Sequence, residues 1–145
     1  MKIMVAYDGT LQAKEALTYG IEKAKQKGGE VVALHVFNSQ LFWDYDATPG
    51  AMDAARAESA RLIEEAKTII REKGAGVRAS LFSTDGNPEE AVISFARSEK
   101  VDVLLCPPKY EGIIGKYRKT LGGSELATEA AMMNVTALSV TSKSL

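Results

Sequence analysis

The chain has 145 residues, of which 46% are hydrophobic and 26% are charged, and this predicts a single globular domain over residues 1–145. A formal net charge of −1 argues against a nucleic-acid-binding surface, and no apolar run approaches the roughly 20 residues that a membrane-spanning helix needs. The single cysteine, Cys106, excludes an internal disulfide, and the N-terminus does not have the pattern of a signal peptide. These features favour a cytoplasmic protein.

The first part of the chain alternates apolar runs with a helical segment. Lys2–Tyr7 and Glu30–Phe37 are short apolar runs, typical of strands that are buried on both faces. Between them, Thr10 can cap a helix whose apolar residues keep a helical period until Gly28 ends it. The pattern therefore predicts a first strand-helix-strand unit.

An irregular segment separates this unit from the next helix. Residues 38–51 break all periodicity and are predicted to form a long loop. Its aromatic side chains are expected to pack over the sheet; they are Phe42, Trp43 and Tyr45. Asp53–Lys73 is the longest predicted helix, and the apolar alternation of residues 77–81 marks a third strand.

The last part of the chain begins with a strong helix start. Asn87 is a suitable cap and Pro88 suits the first helical position. Residues 101–106 then indicate a fourth buried strand, and a loop rich in glycine and lysine follows it. Ser124 opens another amphipathic helix, and Val135–Val140 is predicted to be the last strand.

Strands and helices that alternate in this way, with apolar strands, predict an α/β fold with a parallel sheet and helices on both faces. Right-handed crossovers favour a doubly wound, five-stranded sheet with strand order 3-2-1-4-5. Ligands bind such sheets beyond the carboxyl ends of the strands, where the strand order reverses. In this order the reversal falls between the first and the fourth strands.

Two features of the sequence meet at that point of the predicted sheet. Asp8 follows the first strand, and the glycine-rich loop follows the fourth. Glycines let main-chain N–H groups approach a phosphate, and cations can neutralise its charge. The glycines of the loop are Gly112, Gly115, Gly122 and Gly123, and its cations are Lys109, Lys116, Arg118 and Lys119. The same residues are also compatible with a solvated surface loop.

The whole chain resembles the universal stress protein family. The similarity rests on five short motifs, whose order and spacing are more specific than any one of them. They are Val-Ala-Tyr-Asp-Gly-Thr at 5–10, Ala-Leu-His-Val at 33–36, Gly-Asn-Pro-Glu-Glu at 86–90, Val-Asp-Val-Leu-Leu at 101–105 and Gly-Gly-Ser-Glu at 122–125.

The resemblance implies a nucleotide site. In the nucleotide-binding members an aspartate after the first strand contacts the ribose, and this position matches Asp8, with Ala6 beside it in the pocket wall. A valine that ends the second strand binds adenine through its main chain, and it matches Val36. Glycines and a hydroxyl after the fourth strand hold the phosphates; the matching positions are Gly112, Gly115, Gly123 and Ser124.

Each candidate residue also has a structural interpretation. Asp8 can cap the turn at Gly9 and Thr10, because aspartate often accepts bonds from N–H groups two residues on. His35 lies in the middle of a strand, and the sequence shows no nucleophile or base beside it, so a packed histidine is favoured over a catalytic one. Cys106 ends an apolar strand and is expected to be a small buried side chain.

The sequence therefore predicts a regulatory or stress-response module that binds ATP, with Mg²⁺ as a possible companion, and that has at most slow ATP hydrolysis. No catalytic residue and no metal ligand is assigned. Two alternatives stay open. A dimeric interaction module without nucleotide is favoured by Pro107 and Pro108, which lack N–H donors, and by the short spacing between Gly115 and Gly123. A nucleotide-dependent enzyme of the wider α/β group is disfavoured by the single histidine.

The last strand predicts assembly. Val135–Val140 carries no proline and no charge, and the predicted order places it at the edge of the sheet. Such an edge is open to pairing with another chain, and the family resemblance also implies dimers formed through the last strand. The sequence therefore predicts a homodimer, with a protein partner of unknown identity.

Overall fold

The computed structural model describes residues 1–43, 49–107, 119–120 and 125–140. The strands are β1 (Lys2–Ala6), β2 (Glu30–Phe37), β3 (Arg78–Asp85), β4 (Val103–Cys106), β5 (Lys119–Thr120) and β6 (Thr136–Ser139). The helices are α1 (Leu11–Lys27), α2 (Gln40–Trp43), α3 (Ala51–Lys73), α4 (Pro88–Ser98) and α5 (Glu125–Met132). None of these helices is both long enough and apolar enough to cross a membrane.

The sheet has the order β3-β2-β1-β4-β6-β5. The predicted order 3-2-1-4-5 is confirmed for the five strands that the sequence identified, and β1 to β4 are parallel as expected. The last of the five, β6, runs antiparallel to β4, so the sheet is mostly parallel with an antiparallel edge. The short strand β5 pairs with β6 on the outside, at Thr120 with Leu138 and at Lys119 with Ser139. The expectation that the last strand is outermost is therefore wrong.

Helices cover both faces of the sheet, as predicted. Helices α1, α3 and α5 pack on the face formed by the odd-numbered residues of β1, and α4 packs on the opposite face. Leu17 and Ile21 of α1 are fully buried against the first face, and Val92 and Ala96 of α4 are buried against the second. Each large apolar side chain buried in this way contributes about 1.5–3 kcal/mol, and together these side chains fix the helices to the sheet.

Local signals in the sequence set the ends of two helices. Thr10 accepts a bond of 3.2 Å from Ala13 N at the start of α1, and Gly28 ends that helix with a φ of 68°. Asn87 accepts bonds of 3.2 Å from Glu89 N and Glu90 N at the start of α4. These interactions satisfy N–H groups that lack partners within the helix, and they confirm the predicted caps.

The segment predicted to be a long loop contains a short helix. Helix α2 lies within residues 38–51, and it is too short to show a periodic pattern in the sequence. The ring of Phe42 stacks on Phe37 with centroids 6.0 Å apart and planes at 9°, so it packs against the end of β2 as expected. Tyr45 lies outside the described residues.

Candidate functional site

The carboxyl ends of β1, β2 and β4 meet at one edge of the sheet. Ala6 pairs with Leu34, and the register of β1 with β4 continues to Cys106, the last residue of β4. Side chains alternate along a strand, so Ala6 and Asp8 project from the same face. Val36 packs on that face too, in the cluster that contains Ala6. The structure therefore brings three of the predicted site residues together at the point where the strand order reverses.

Strand β2 continues beyond the end of β1. The last bond between the two strands runs from Tyr7 N to Leu34 O over 2.8 Å, while β2 pairs with β3 as far as Phe37. Main-chain groups alternate between the two sides of a strand, so the N–H and C=O of Val36 point to the same side as those of Leu34. They face the space beyond β1, where a continued register would place Asp8.

The chain turns sharply after β1. Asp8 Oδ1 accepts bonds from Thr10 N at 3.1 Å and from Thr10 Oγ1 at 2.6 Å, which confirms the predicted capping role of Asp8. Gly9 has a φ of 79°, a conformation that favours glycine. A side chain at Gly9 would also overlap Leu62 of α3. The turn is thus fixed by its own hydrogen bonds and by the helix that packs on it.

A polar network lies on the other face of this edge. Tyr7 Oη donates to Glu65 Oε1 at 3.0 Å, and Lys14 Nζ lies 3.3 Å from the same carboxylate. Burial and this hydrogen bond raise the pKa of the Tyr7 phenol well above its usual value. Although desolvation opposes it, hydrogen bonds from Tyr7, Arg61 and Lys14 hold the pKa of Glu65 below its usual range. Glu65 is therefore an anion that joins β1, α1 and α3.

His35 belongs to the same face and has two partners. Its ring is 6% exposed, so the predicted burial is confirmed. Nδ1 lies 3.2 Å from Tyr7 O, and Nε2 lies 2.6 Å from Ser59 Oγ. A carbonyl oxygen can only accept, so a neutral ring carries its proton on Nδ1 and accepts the Ser59 hydroxyl at Nε2. The expectation that no nucleophile lies beside His35 is wrong.

The predicted phosphate-binding residues fall outside the described part of the chain. These residues are Gly112, Gly115, Gly123 and Ser124. Glu125, which follows Ser124, accepts a bond of 2.8 Å from Lys23 Nζ in the last third of α1. Lys23 is twelve residues beyond the start of α1, and this places it about 18 Å along the helix from the end that Thr10 caps. The start of α5 is thus held towards the opposite edge of the sheet.

Lys23 is a buried cation at the interface of α1 and α5. Its side chain is 9% exposed, and Nζ also lies 3.1 Å from Glu129 and 5.6 Å from the ring centroid of Tyr19. Hydrogen bonds from Glu125 and Glu129 raise its pKa, and the bond from Lys23 holds the pKa of Glu125 below its usual range. Among the described residues there is no group of three or more His, Cys, Asp or Glu side chains that could hold a metal ion.

Comparison with known proteins identifies the family. The family model described as the universal stress protein family matches residues 1–116, a range that ends before Gly123 and Ser124. A curated universal stress protein of Thermus aquaticus, described as lying in the QAH/OAS sulfhydrylase 3′ region, is 28% identical over 116 residues. The alignment covers 78% of this chain and 80% of the relative.

Two solved structures share the fold. A universal stress protein of Archaeoglobus fulgidus in complex with dAMP superposes with a TM-score of 0.59 at 18% identity, over 80% of this chain and 86% of that one. A family member from Arabidopsis thaliana with AMP bound gives a TM-score of 0.53 at 20% identity, over 80% and 81% of the two chains.

Proposed function

Because the chain belongs to the universal stress protein family, we propose that it binds an adenine nucleotide at the edge where β1 ends and β2 continues. The observation that carries the proposal is the position of Val36, whose main-chain N–H and C=O face the space beyond Tyr7, next to Asp8. An adenine edge presents one donor and neighbouring acceptors, and a main-chain N–H and C=O complement them. The complexes of relatives with dAMP and AMP support the same ligand class.

Asp8 is proposed to bind the ribose hydroxyls. An ionised carboxylate can accept about four hydrogen bonds, so bonding to Thr10 and to a ribose are compatible. Ala6 is 3% exposed and contributes mainly through its small size, which leaves room for the base beside β1. The Thr10 bonds fix the carboxylate before the ligand arrives, and this lowers the entropy cost of binding.

The phosphate contacts remain predictions. Gly112, Gly115, Gly123 and Ser124 are proposed to meet the phosphates of ATP, and Mg²⁺ is its expected companion. We propose that binding acts by changing the conformation of this single domain or its choice of partner, in the cytoplasm, and that ATP is hydrolysed slowly at most. A homodimer formed through residues 135–140 is the proposed assembly.

One observation favours a second candidate, an interaction module without nucleotide. Lys23 holds Glu125 at the far end of α1, and Glu125 follows directly on Ser124. In this arrangement the start of α5 does not point at the edge that carries Asp8, so the helix N-terminus would not contribute to phosphate binding. The two candidates therefore differ in whether a phosphate chain adds affinity.

Calorimetry with AMP and with ATP and Mg²⁺ tests both candidates. We expect a dissociation constant in the micromolar range, about −8 kcal/mol at 1 μM. Asp8→Asn is the sharpest variant, because the amide oxygen can still accept from Thr10 while the negative charge is lost. It should weaken binding at least about tenfold, since a hydrogen bond to a charged group contributes about 1.5–3 kcal/mol.

Thr10→Val is the matched control. It removes the hydroxyl that donates to Asp8 and caps α1, so it should lower stability while the carboxylate keeps its charge. Nucleotide affinity should then fall less than in Asp8→Asn. The absence of both heat and a thermal shift at millimolar nucleotide would support the interaction module. Equal affinity for AMP and ATP would indicate that the phosphate-binding residues contribute nothing.

A further inference from the structure

Ser59 and His35 form a pair that the nucleotide site does not use. Ser59 lies in the first half of α3 and is partly exposed, whereas His35 is buried on β2. The distance of 2.6 Å between Ser59 Oγ and His35 Nε2 is short for a hydrogen bond to a ring nitrogen. The bond joins a hydroxyl to an imidazole nitrogen, which is the arrangement of a nucleophile with its base.

A third group orients the imidazole. Tyr7 O lies 3.2 Å from His35 Nδ1 and fixes the proton on that nitrogen, so the lone pair of Nε2 points at Ser59. The main-chain carbonyl thus has the orienting role that a carboxylate has in Ser-His-Asp triads. The ring has little freedom to turn, because it is buried and held at both nitrogens. Nucleophile, base and orienting group are therefore in place together.

We propose that Ser59 is a nucleophile activated by His35, and that it is acylated by activated acyl donors such as thioesters and aryl esters. In the step, Ser59 Oγ forms a bond to the acyl carbon while its proton passes to His35 Nε2. The bond from the acyl carbon to the leaving sulfur or oxygen breaks, and the leaving group takes that proton. The products are an ester on Ser59 and a free thiol or alcohol.

The position of Ser59 predicts modification rather than turnover. Ser59 lies inside α3, where main-chain N–H groups are committed to bonds four residues back along the helix. Its neighbours in the chain therefore do not supply the N–H donors that stabilise a tetrahedral oxyanion, and removing one such donor slows acyl transfer about 10²–10³-fold. We accordingly expect one acyl group to be transferred to each chain and to be released slowly.

The test treats the whole protein with p-nitrophenyl acetate and follows it by intact mass and peptide mapping. The expected result is a single acetyl group on Ser59, together with a stoichiometric burst of nitrophenolate. Ser59→Ala should abolish both. His35→Gln keeps Ser59 but removes the base, and the acetylation rate should fall about 10²-fold or more, the usual contribution of a general base.

Thr68→Ala is the matched control on the same helix. Thr68 Oγ1 donates to Glu64 O at 3.0 Å and has no histidine partner, so its loss should leave the Ser59 adduct and its rate unchanged. Circular dichroism of each variant shows whether it is folded. Acetylation spread over lysines with none on Ser59 in the unaltered protein overturns the proposal without any variant. A Ser59 adduct that forms at an unchanged rate in folded His35→Gln also overturns it.

Discussion

Gly9 is the position at which the turn and α3 constrain each other most directly, and Gly9→Ala tests that constraint. The new Cβ would overlap Leu62 Cδ2 and would lie 3.1 Å from Cδ1 and 3.2 Å from Cγ. Because the outer carbons of Leu62 are all this close, a change of its rotamer does not clear the space. The whole side chain has to move within α3, or the turn has to open.

Two costs add in this variant. A residue other than glycine at a φ of 79° costs about 1–2 kcal/mol, and overpacking of a well-packed region costs about 1–3 kcal/mol. Gly9→Ala should therefore lower the free energy of unfolding by about 2–5 kcal/mol, a large part of the 5–15 kcal/mol typical of a domain. Gly28→Ala is the matched control, since Gly28 has a φ of 68° and nothing within 4 Å of a new Cβ. It should lose only the first cost, about 1–2 kcal/mol.

A double-mutant cycle with Leu62→Ala separates the two costs. In the Leu62→Ala background the overlap is gone, so Gly9→Ala should cost about as much as Gly28→Ala, and the coupling energy should be about 1–3 kcal/mol. Denaturant unfolding followed by circular dichroism gives all the values. Equal costs for Gly9→Ala and Gly28→Ala, with no coupling to Leu62, would mean that α3 does not pack on this turn as the structure has it.

Two further predictions concern charge and assembly. Glu125 has a folded-state pKa below its ordinary value of 4.5 because of Lys23, so the stability it contributes is present above pH 4.5 and is lost as the pH falls further; Lys23→Met should flatten this acid limb of thermal stability, and an unchanged limb would contradict the assigned pair. Light scattering should give twice 15.6 kDa for the native chain, and Thr136→Pro, at the first residue of β6, should shift the mass towards 15.6 kDa; a native monomer would remove this interface.

Features set by neighbouring residues could be predicted from the sequence. The caps at Thr10 and Asn87 depend on residues two or three positions away, and the structure confirms both. The strand order followed from the handedness of crossovers, which is a rule about chains and not about particular side chains. The direction of β6 has no such signal, because an apolar strand pattern is the same whichever way the strand runs.

Features set by distant residues could not be predicted. Ser59 and His35 are 24 residues apart, and their contact depends on how α3 crosses β2. One signal was available: Ser59 lies three residues before Leu62 and seven before Ala66, so it shares the inward face of α3. Lys23 shows the same pattern, since it lies between Gly20 and Ala24 on the buried face of α1. A polar residue on an apolar stripe indicates a buried partner but does not identify it.

The alternation of side chains separates the two proposed sites. Asp8 and Val36 use the face covered by α4, whereas Tyr7 and His35 use the face covered by α3. The same ends of β1 and β2 therefore supply a nucleotide site and a nucleophile–base pair without sharing a side chain. It follows that Asp8→Asn should leave acetylation of Ser59 intact, and Ser59→Ala should leave nucleotide affinity intact. Loss of both properties in either variant would show that the two faces do not act independently.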